Sequence, residues 1–121
     1  MSLRGTERFP KAARLRKRAE FLNLSRVGRK DQSANFVVVS KSNKQDETRL
    51  GITVSGKVGN SVVRNRIKRQ VREFFRRRRR FLPAGMDFLV IARKGAAELS
   101  GDAVGDELDR LLAQRRDRRT T

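Results

Sequence analysis

The chain of 121 residues contains no cysteine, histidine, tryptophan or tyrosine. Without cysteine and histidine, zinc sites of the usual kind are excluded, and so are nucleophile pairs of the Ser-His and Cys-His types. No disulfide can form, which is compatible with the cytoplasmic location that we expect. These absences therefore exclude the commonest zinc sites, the commonest nucleophile pairs and all disulfide bonds.

Long hydrophobic runs are also missing. No segment approaches the ~18 apolar residues that a membrane-spanning helix needs. The first eighteen residues, MSLRGTERFPKAARLRKR, lack the apolar centre of a secretory signal peptide. We therefore expect no membrane partner. The length suits a single domain over 1–121, and we expect its ends, 1–8 and 115–121, to be flexible.

Acidic residues are few. Thirteen Asp and Glu stand against 31 Lys and Arg, so the net charge is +18 and the pI is near 11.8. A field of this size attracts polyanions, and nucleic acid is the leading candidate. An acidic membrane surface would be the second candidate, but the missing apolar segment leads us to expect no membrane partner.

The apolar periodicity of the first half predicts a helix and two strands. The helix runs from Lys11 to about Ser25 and ends at Gly28. Its irregular apolar stripe consists of Leu15, Ala19, Leu22 and Leu24. The segments 33–40 and 49–55 are predicted strands, and the polar turn 42–47 would join them as an antiparallel hairpin.

The second half predicts two helices around a buried strand. The near-continuous apolar run at 86–93 indicates a central strand. A helix at 62–80 would be capped by Asn60 or Ser61 and would stop before Pro83 and Gly85. Ser100 would cap a final helix, whose apolar stripe consists of Val104, Leu108, Leu111 and Leu112. Together these elements predict an α+β fold in which helices pack on a small sheet.

The predicted helix at 62–80 carries ten basic residues and one acidic residue. With about 100° of rotation per residue, its apolar residues share one face. That face consists of Val63, Ile67, Val71, Phe74 and Phe75. Like charges three or four residues apart repel, and each pair costs about 0.2–0.5 kcal/mol. Nothing in the fold requires this cost, so we interpret the helix as a nucleic-acid-binding element. The alternative is a solubilising charged face.

Two further features bear on nucleic-acid binding. Asn65 lies between two arginines and adds no Coulomb attraction, so we interpret it as a directional hydrogen-bonding group. The alternative is a local hydrogen bond within the helix. Near the N-terminus, Phe9 and Phe21 are interleaved with cations that include Arg14 and Lys17, as in stacking platforms for single strands. Alternatively one or both phenylalanines belong to the core, and for Phe21 the pattern alone favours this.

Carboxylates offer little evidence of catalysis. Their only dense group is Asp102, Asp106, Glu107 and Asp109. Its spacing fits the N-terminal part of a helix, where acids are favourable. We therefore expect no metal site and no catalytic residue in the protein.

Two segments resemble the bacterial ribonuclease P protein component. They are RLGITVSGKVGNSVVRNRIKRQVREFFR (49–76) and MDFLVIARKG (86–95). The resemblance extends to FPKAARLRKRAEF (9–21) and to the leucine-rich helix, and it covers about Phe9 to Ala113. The most specific motif is RNRIKR, with Gly-Asn upstream and Arg-Glu downstream.

The resemblance implies a fold and a function. The fold is a four-stranded mixed sheet with about three helices and a left-handed βαβ crossover, against the ~98% right-handed rule. The function is to bind a large catalytic RNA and, with it, to remove the 5′ leader of precursor tRNA. The RNA would carry both the active site and the Mg²⁺, and the protein would be a monomer apart from its RNA.

The resemblance also implies site residues. The surface that faces the catalytic RNA would be formed by Arg64, Asn65, Arg66, Lys68, Arg69 and Arg72. The leader would lie in a cleft between the first helix and the sheet. The residues expected to bind the leader are Phe9, Arg14, Lys17, Phe21, Val37, Val39 and Lys57. This assignment reverses the interpretation of Phe21 as core.

Several positions depart from the family pattern. Ser25 and Val39 occupy places where an aromatic residue is common, so leader stacking is expected to be weaker or to use other residues. The remaining departures are Gly56, Ser61 and Gln70, and none lies within RNR. Two other hypotheses remain: a ribosomal or nucleoid binding protein, and a nuclease that acts without RNA through Asp106 or Glu107.

Overall fold

The computed structural model describes residues 18–120, with side chains through Gln114. The α-helices of this part are α1 (Arg18–Val27), α2 (Ser61–Arg78) and α3 (Gly101–Thr120). The strands are β1 (Arg29–Gln32), β2 (Phe36–Ser42), β3 (Arg49–Val54) and β4 (Met86–Ala92). Short 3₁₀ helices follow α2 at Arg79–Phe81 and β4 at Lys94–Glu98.

The four strands form one mixed sheet in the order β1-β2-β4-β3. β4 is antiparallel to β2 and parallel to β3, so it lies at the centre as its apolar run predicts. The predicted hairpin is wrong, because β4 separates β2 from β3. In one row of the sheet, Val38 is opposite Val90, and Val90 is opposite Ile52. Alternation of apolar residues reports which face is buried, not which strand is the neighbour.

The edge strand β1 was not predicted from its pattern. It pairs antiparallel with β2, and Asp31 is opposite Val38. Its sequence, RKDQ, contains no apolar residue, and its buried member is the carboxylate Asp31. Because the usual strand signal is a period of two in apolar residues, such a strand carries no signal of its own.

The main core lies between one face of the sheet and the helices α2 and α3. The apolar face predicted for α2 is confirmed, since Ile67, Val71 and Phe75 are fully buried there. Val104 and Leu108 of α3 are equally buried, as predicted. The sheet contributes Phe36, Val38, Leu50, Val54, Phe88 and Val90. This packing holds α2 by its apolar face and leaves its basic residues at the surface.

The starts of two helices and of one strand follow local rules. The Asn60 side chain accepts a hydrogen bond from the Val63 amide at 3.0 Å, so Asn60 rather than Ser61 is the N-cap of α2. Ser100 caps α3 in the same way, accepting from the Ala103 amide at 3.1 Å. Gly85 directly precedes β4 and has a φ of 71°, a backbone conformation that favours glycine.

The second face of the sheet is covered in part by α1. Leu24 of α1 is buried against Val39 and Leu89. The predicted apolar stripe is wrong for Ala19 and Leu22, which are exposed. Phe21 and Leu24 contact the sheet instead. The predicted stretch 11–17, with Leu15, lies outside the described residues.

Two further expectations concern the ends of the chain and the βαβ crossover. α3 continues to Thr120, across most of the segment 115–121 for which we expected flexibility, and residues 1–8 lie outside the described part. β3, α2 and β4 form the expected βαβ unit with parallel strands. The left hand of this crossover stays a prediction from the resemblance.

Candidate nucleic-acid interface

The motif RNRIKR lies in the first half of α2. Asn65 and Arg69 are exposed, while Arg64, Arg66 and Lys68 are half-buried on the flanks of the helix. Arg72 is exposed one turn after Lys68. The fold therefore brings all six residues predicted to face an RNA to one helix, on the sides that do not pack on the core. We call these six residues the RNR surface.

The two arginines of RNR are held by neighbouring groups. Arg66 donates from Nη2 to the carbonyl oxygen of Ala97 at 2.6 Å. Arg64 donates from Nη2 to the Ser61 hydroxyl at 3.3 Å. Both Nε atoms are buried without a hydrogen-bond partner in the described structure. A guanidinium held at one edge presents its remaining donors in a defined direction, which suits recognition of phosphate.

The electrostatics of the RNR surface are almost entirely of one sign. The first turn of α2 contains no acidic residue, although acids are favourable at a helix N-terminus. The single carboxylate of α2, Glu73, lies in its second half and pairs with Arg76 and with Arg77. The hydrogen bond from Arg76 and the charges of both arginines lower the pKa of Glu73, so it is ionised there. The five positive charges of the RNR surface thus stand against a single carboxylate on their own helix.

The run Arg76–Arg80 differs from the RNR surface in its contacts with other parts of the protein. A bare run of arginines would attract any phosphate backbone, but members of this run are bound to groups of the protein itself. Arg78 donates to both carboxylate oxygens of Asp109 at 2.9 Å, and its guanidinium carbon lies 4.0 Å from the centre of the Phe74 ring. Arg79 forms an ion pair with Glu47. These arginines join α2 to α3 and to the turn before β3.

The cleft predicted for the leader lies on the second face of the sheet. Two rows of side chains cross this face near α1. Val39 and Leu89 lie in the row beneath α1 and are buried. The second row consists of Val37, Ile91 opposite it, and Thr53 beside Ile91. Val37 and Ile91 are half-buried, and Thr53 is exposed. We call Val37, Ile91 and Thr53 the open strip.

Phe21 and Val39 therefore differ in what they can do. Phe21 is half-buried beside the open strip, where it packs against the cluster of Leu24, Val39 and Leu89. Val39 has no exposed surface, so its side chain cannot contact a leader in this structure. The expectation for Val39 came from the family resemblance, but in this structure α1 covers its position on the sheet. Its contribution is to seat α1 on the sheet.

A charged cluster holds α1 on the sheet, on the side of the Val39–Leu89 row away from the open strip. Arg49 donates to both oxygens of Asp87 at 2.8 Å and to Glu20 of α1 at 2.7 Å. The hydrogen bonds that Arg49 donates to Asp87 are the main cause of the raised pKa of Arg49, and burial opposes this shift. Arg49 thus ties α1 to the sheet and fixes the wall of the cleft.

The other predicted leader residues lie in less defined places. Lys57 is exposed in the loop 55–60, between the end of β3 and the start of α2. Phe9, Arg14 and Lys17 lie outside the described residues. Ile91 and Thr53 were not named from the sequence, although the alternation along each strand contains the signal. Their position beside Val37 depends on β4 lying between β2 and β3, which the hairpin prediction had excluded.

The carboxylates of the described structure form no cluster that could hold a metal ion. Among residues 18–120 there is no group of three or more acidic residues placed to hold a metal ion. Glu107 is buried and accepts hydrogen bonds from Ser33 and from the amide and side chain of Asn35. Its neighbour Asp106 is exposed. Glu107 therefore joins α3 to the β1–β2 turn, which accounts for it without catalysis.

None of the helices in the described part is both long enough and apolar enough to cross a membrane.

Comparison with known proteins relates this geometry to a family. The model of the Ribonuclease P family matches residues 9–116. The chain belongs to the ribonuclease P protein family. A ribonuclease P protein component of Desulforapulum autotrophicum is 50% identical over 108 residues, which cover 89% of this chain and 92% of that protein. That of Thermotoga maritima is 44% identical over 93 residues, covering 77% and 80%.

Solved structures of the family show the same fold. The ribonuclease P protein of Staphylococcus aureus superposes with a TM-score of 0.82 at 37% identity, covering 87% of this chain and 96% of that one. The Thermotoga maritima protein superposes with a TM-score of 0.76 at 40% identity, covering 84% and 96%. The chain is thus the protein subunit of ribonuclease P, a ribonucleoprotein endoribonuclease of tRNA processing, as the resemblance implied.

Proposed function

We propose that the RNR surface binds the RNA subunit of ribonuclease P and that the cleft beside α1 binds the single-stranded 5′ leader of precursor tRNA. The observation that carries the proposal is the unbalanced charge of the RNR surface on a helix whose apolar face is fully used in the core. A helix anchored in this way can present cations rigidly to a folded RNA.

In this proposal the active site and its Mg²⁺ belong to the RNA. The protein supplies no nucleophile and no general acid or base. Its cations lower the repulsion between two polyanions, the RNA subunit and the substrate, when they associate. Less Mg²⁺ is then needed to screen the same phosphates.

The leader cleft adds substrate contacts on the opposite face of the sheet. The open strip offers apolar and hydroxyl groups, and Phe21 at its side offers an aromatic edge. The loop 55–60, with Lys57, connects this face to the start of α2. A leader on the open strip would therefore run close to the RNR surface, which places substrate and RNA subunit beside each other.

We also propose that the protein is a monomer apart from its RNA and that it acts in the cytoplasm. Two copies of a chain with a net charge of +18 repel each other unless a polyanion lies between them. Binding of RNA satisfies this requirement without a protein dimer.

The test is cleavage of precursor tRNA with protein alone, RNA subunit alone and both together, over a range of Mg²⁺ concentrations. We expect no cleavage by protein alone, and we expect the complex to cleave at lower Mg²⁺ than the RNA. Equal Mg²⁺ demand with and without protein contradicts the proposal. Cleavage by protein alone that is lost in Asp106→Asn would instead support a protein nuclease.

The leader contact is tested separately with substrates of different leader lengths. We expect the protein to increase affinity for a substrate with a leader of several nucleotides more than for mature tRNA. An equal increase for both would show that the protein acts only through the RNA subunit.

A further inference from the structure

The 3₁₀ helix that ends α2 exposes an aromatic ring. Phe81 is 82% exposed, the largest value among the exposed hydrophobic residues of the described structure. The next residues, Leu82 and Pro83, are half-buried, and the Pro83 carbonyl oxygen accepts a hydrogen bond from the Thr48 hydroxyl at 2.6 Å. The backbone beside Phe81 is therefore held in place, and the ring projects from a fixed position.

A small cleft opens beside the ring. Its volume is about 220 Å³, and it is lined by Arg78, Phe81, Leu82, Pro83, Phe88, Asp109 and Leu112. This is less than the roughly 300–1,000 Å³ of pockets for drug-sized ligands, so it suits one flat ring. The walls are mainly apolar, and Phe88 is fully buried.

The charge around the cleft is positive. The Asp109 carboxylate at its rim is paired with Arg78 and so adds no net negative charge. Arg80, adjacent to Phe81, is exposed and has no ion pair in the described part of the chain. Arg77, one turn before Phe81, has a side chain that is 69% exposed. An exposed aromatic ring flanked by exposed arginines is the arrangement on which nucleic-acid bases stack.

We propose that Phe81 and its cleft bind an unpaired nucleotide of an RNA, with the base on the ring and the phosphates near Arg80 and Arg77. This site lies at the C-terminal end of α2, away from the RNR surface, and on the opposite face of the sheet from the leader cleft. It goes beyond the proposed function, because it does not depend on which RNA supplies the nucleotide.

Charge decides between the occupants. A second copy of the chain would bring another +18 to a positive surface. The chain after Gln114, RRDRRTT, has no apolar residue to place in the cleft. A single strand offers both a planar base and negative phosphates, so it complements both features of the site.

The experiment uses the natural lack of tryptophan and tyrosine. In Phe81→Trp the full-length protein carries a single indole, whose fluorescence is quenched when a base stacks on it. The probes are a 12-nucleotide oligouridylate and a blunt 12-base-pair RNA duplex, both at saturating concentration. We expect the single strand to quench Phe81→Trp strongly and the duplex, which binds by charge alone, to quench it little.

The matched positional control is Ala34→Trp, at an exposed residue of the β1–β2 turn that belongs to neither proposed RNA site. We expect neither probe to quench it comparably. Equal quenching of Phe81→Trp by both probes, or none at saturation, overturns the proposal. Emission that changes with protein concentration in the absence of RNA would assign the cleft to a second copy. Emission that is blue-shifted whatever the protein concentration and whether or not RNA is present would assign the cleft to the chain's own segment 1–17.

Affinity provides the second measurement. We expect Phe81→Ala to weaken binding of the oligouridylate by about 5- to 150-fold, the range for loss of one stacked base. Phe81→Leu should lose as much, and Phe81→Tyr should retain affinity, because stacking needs an aromatic ring. Full retention by Phe81→Leu would show apolar docking rather than stacking. These binding measurements do not involve the RNA subunit, so their failure leaves the cleavage test of the proposed function unaffected.

Discussion

Arg66 of α2 and Ala97 of the 3₁₀ helix after β4 are joined by a hydrogen bond of 2.6 Å from Nη2 to the carbonyl oxygen. This bond fixes the guanidinium plane against a backbone group that is far away in the chain. The other donors of Arg66 then point in a direction set by the fold. The guanidinium of Arg66 is therefore a hydrogen-bond donor of fixed orientation rather than a mobile charge.

We predict that Arg66→Lys weakens binding of the RNA subunit by about tenfold or more, although the charge is retained. Lysine cannot reproduce a planar fork, and one hydrogen bond to a charged group contributes about 1.5–3 kcal/mol. Dissociation constants at one fixed salt concentration provide the measurement. The control is Arg77→Lys, because Arg77 is largely exposed and its neighbour Glu73 pairs chiefly with Arg76.

Similar losses for Arg66→Lys and Arg77→Lys would mean that α2 acts as a uniform rod of charge. Arg79 is a poor comparison for this purpose, because it forms an ion pair with Glu47 and its removal disturbs the fold.

We predict that Glu107→Gln lowers the free energy of unfolding at neutral pH by about 2 kcal/mol, because its three hydrogen bonds are accepted by a charged group. Burial raises the pKa of Glu107, but the bonds from Ser33 and Asn35 outweigh it, and the net shift is downward. The folded state thus holds the proton less tightly than the unfolded state.

The pH dependence follows from the sign of this shift. The stabilisation is present above the pKa of the unfolded chain and is lost as pH falls through the lower pKa of the folded state. Urea unfolding between about pH 6 and pH 3 should therefore show a steeper loss for the natural protein than for Glu107→Gln. Asp106→Asn, at an exposed neighbour, should keep the natural slope. Parallel curves for the natural protein and Glu107→Gln would contradict the prediction.

We predict that Arg78→Ala lowers the free energy of unfolding by about 1 kcal/mol, from the partly exposed pair with Asp109 and the contact with Phe74. Thermal unfolding should shift down by about 4 °C. Arg80→Ala removes the same charge without an ion pair in the described structure, and it should leave the midpoint unchanged or slightly higher. If both substitutions act alike, Arg78 does not join α2 to α3 in solution.

We predict that Gly28→Ala impairs leader binding more than binding of the RNA subunit. A Cβ at Gly28 would lie 2.5 Å from Val39 Cγ1 and 2.6 Å from the Leu24 carbonyl oxygen, so α1 must shift on the sheet. Overpacking of this kind costs about 1–3 kcal/mol. Gly56→Ala is the matched control, because its Cβ would meet no atom within 4 Å.

Affinity for substrates with and without a leader separates the two effects. Equal weakening of both substrates by Gly28→Ala would show that α1 does not form a wall of the cleft.

The sequence by itself determined the elements whose signal is local. The apolar positions from Val63 to Phe75 recur with the helix period, Asn60 has the side chain of an N-cap, and the basic residues fall on the sides left over. The RNR surface could be predicted for this reason. The run of apolar residues in β4 also sufficed to place that strand at the centre, because a strand that is apolar on both faces needs cover on both.

Only the tertiary structure decided which elements meet. Pairing of β2 and β3 with β4, rather than with each other, depends on contacts that leave no period in the chain. The burial of Val39 depends on where α1 docks, and the pairing of Arg78 with Asp109 on where α3 lies. A local pattern reports the environment that a side chain needs, whereas long-range packing selects the partner that supplies it.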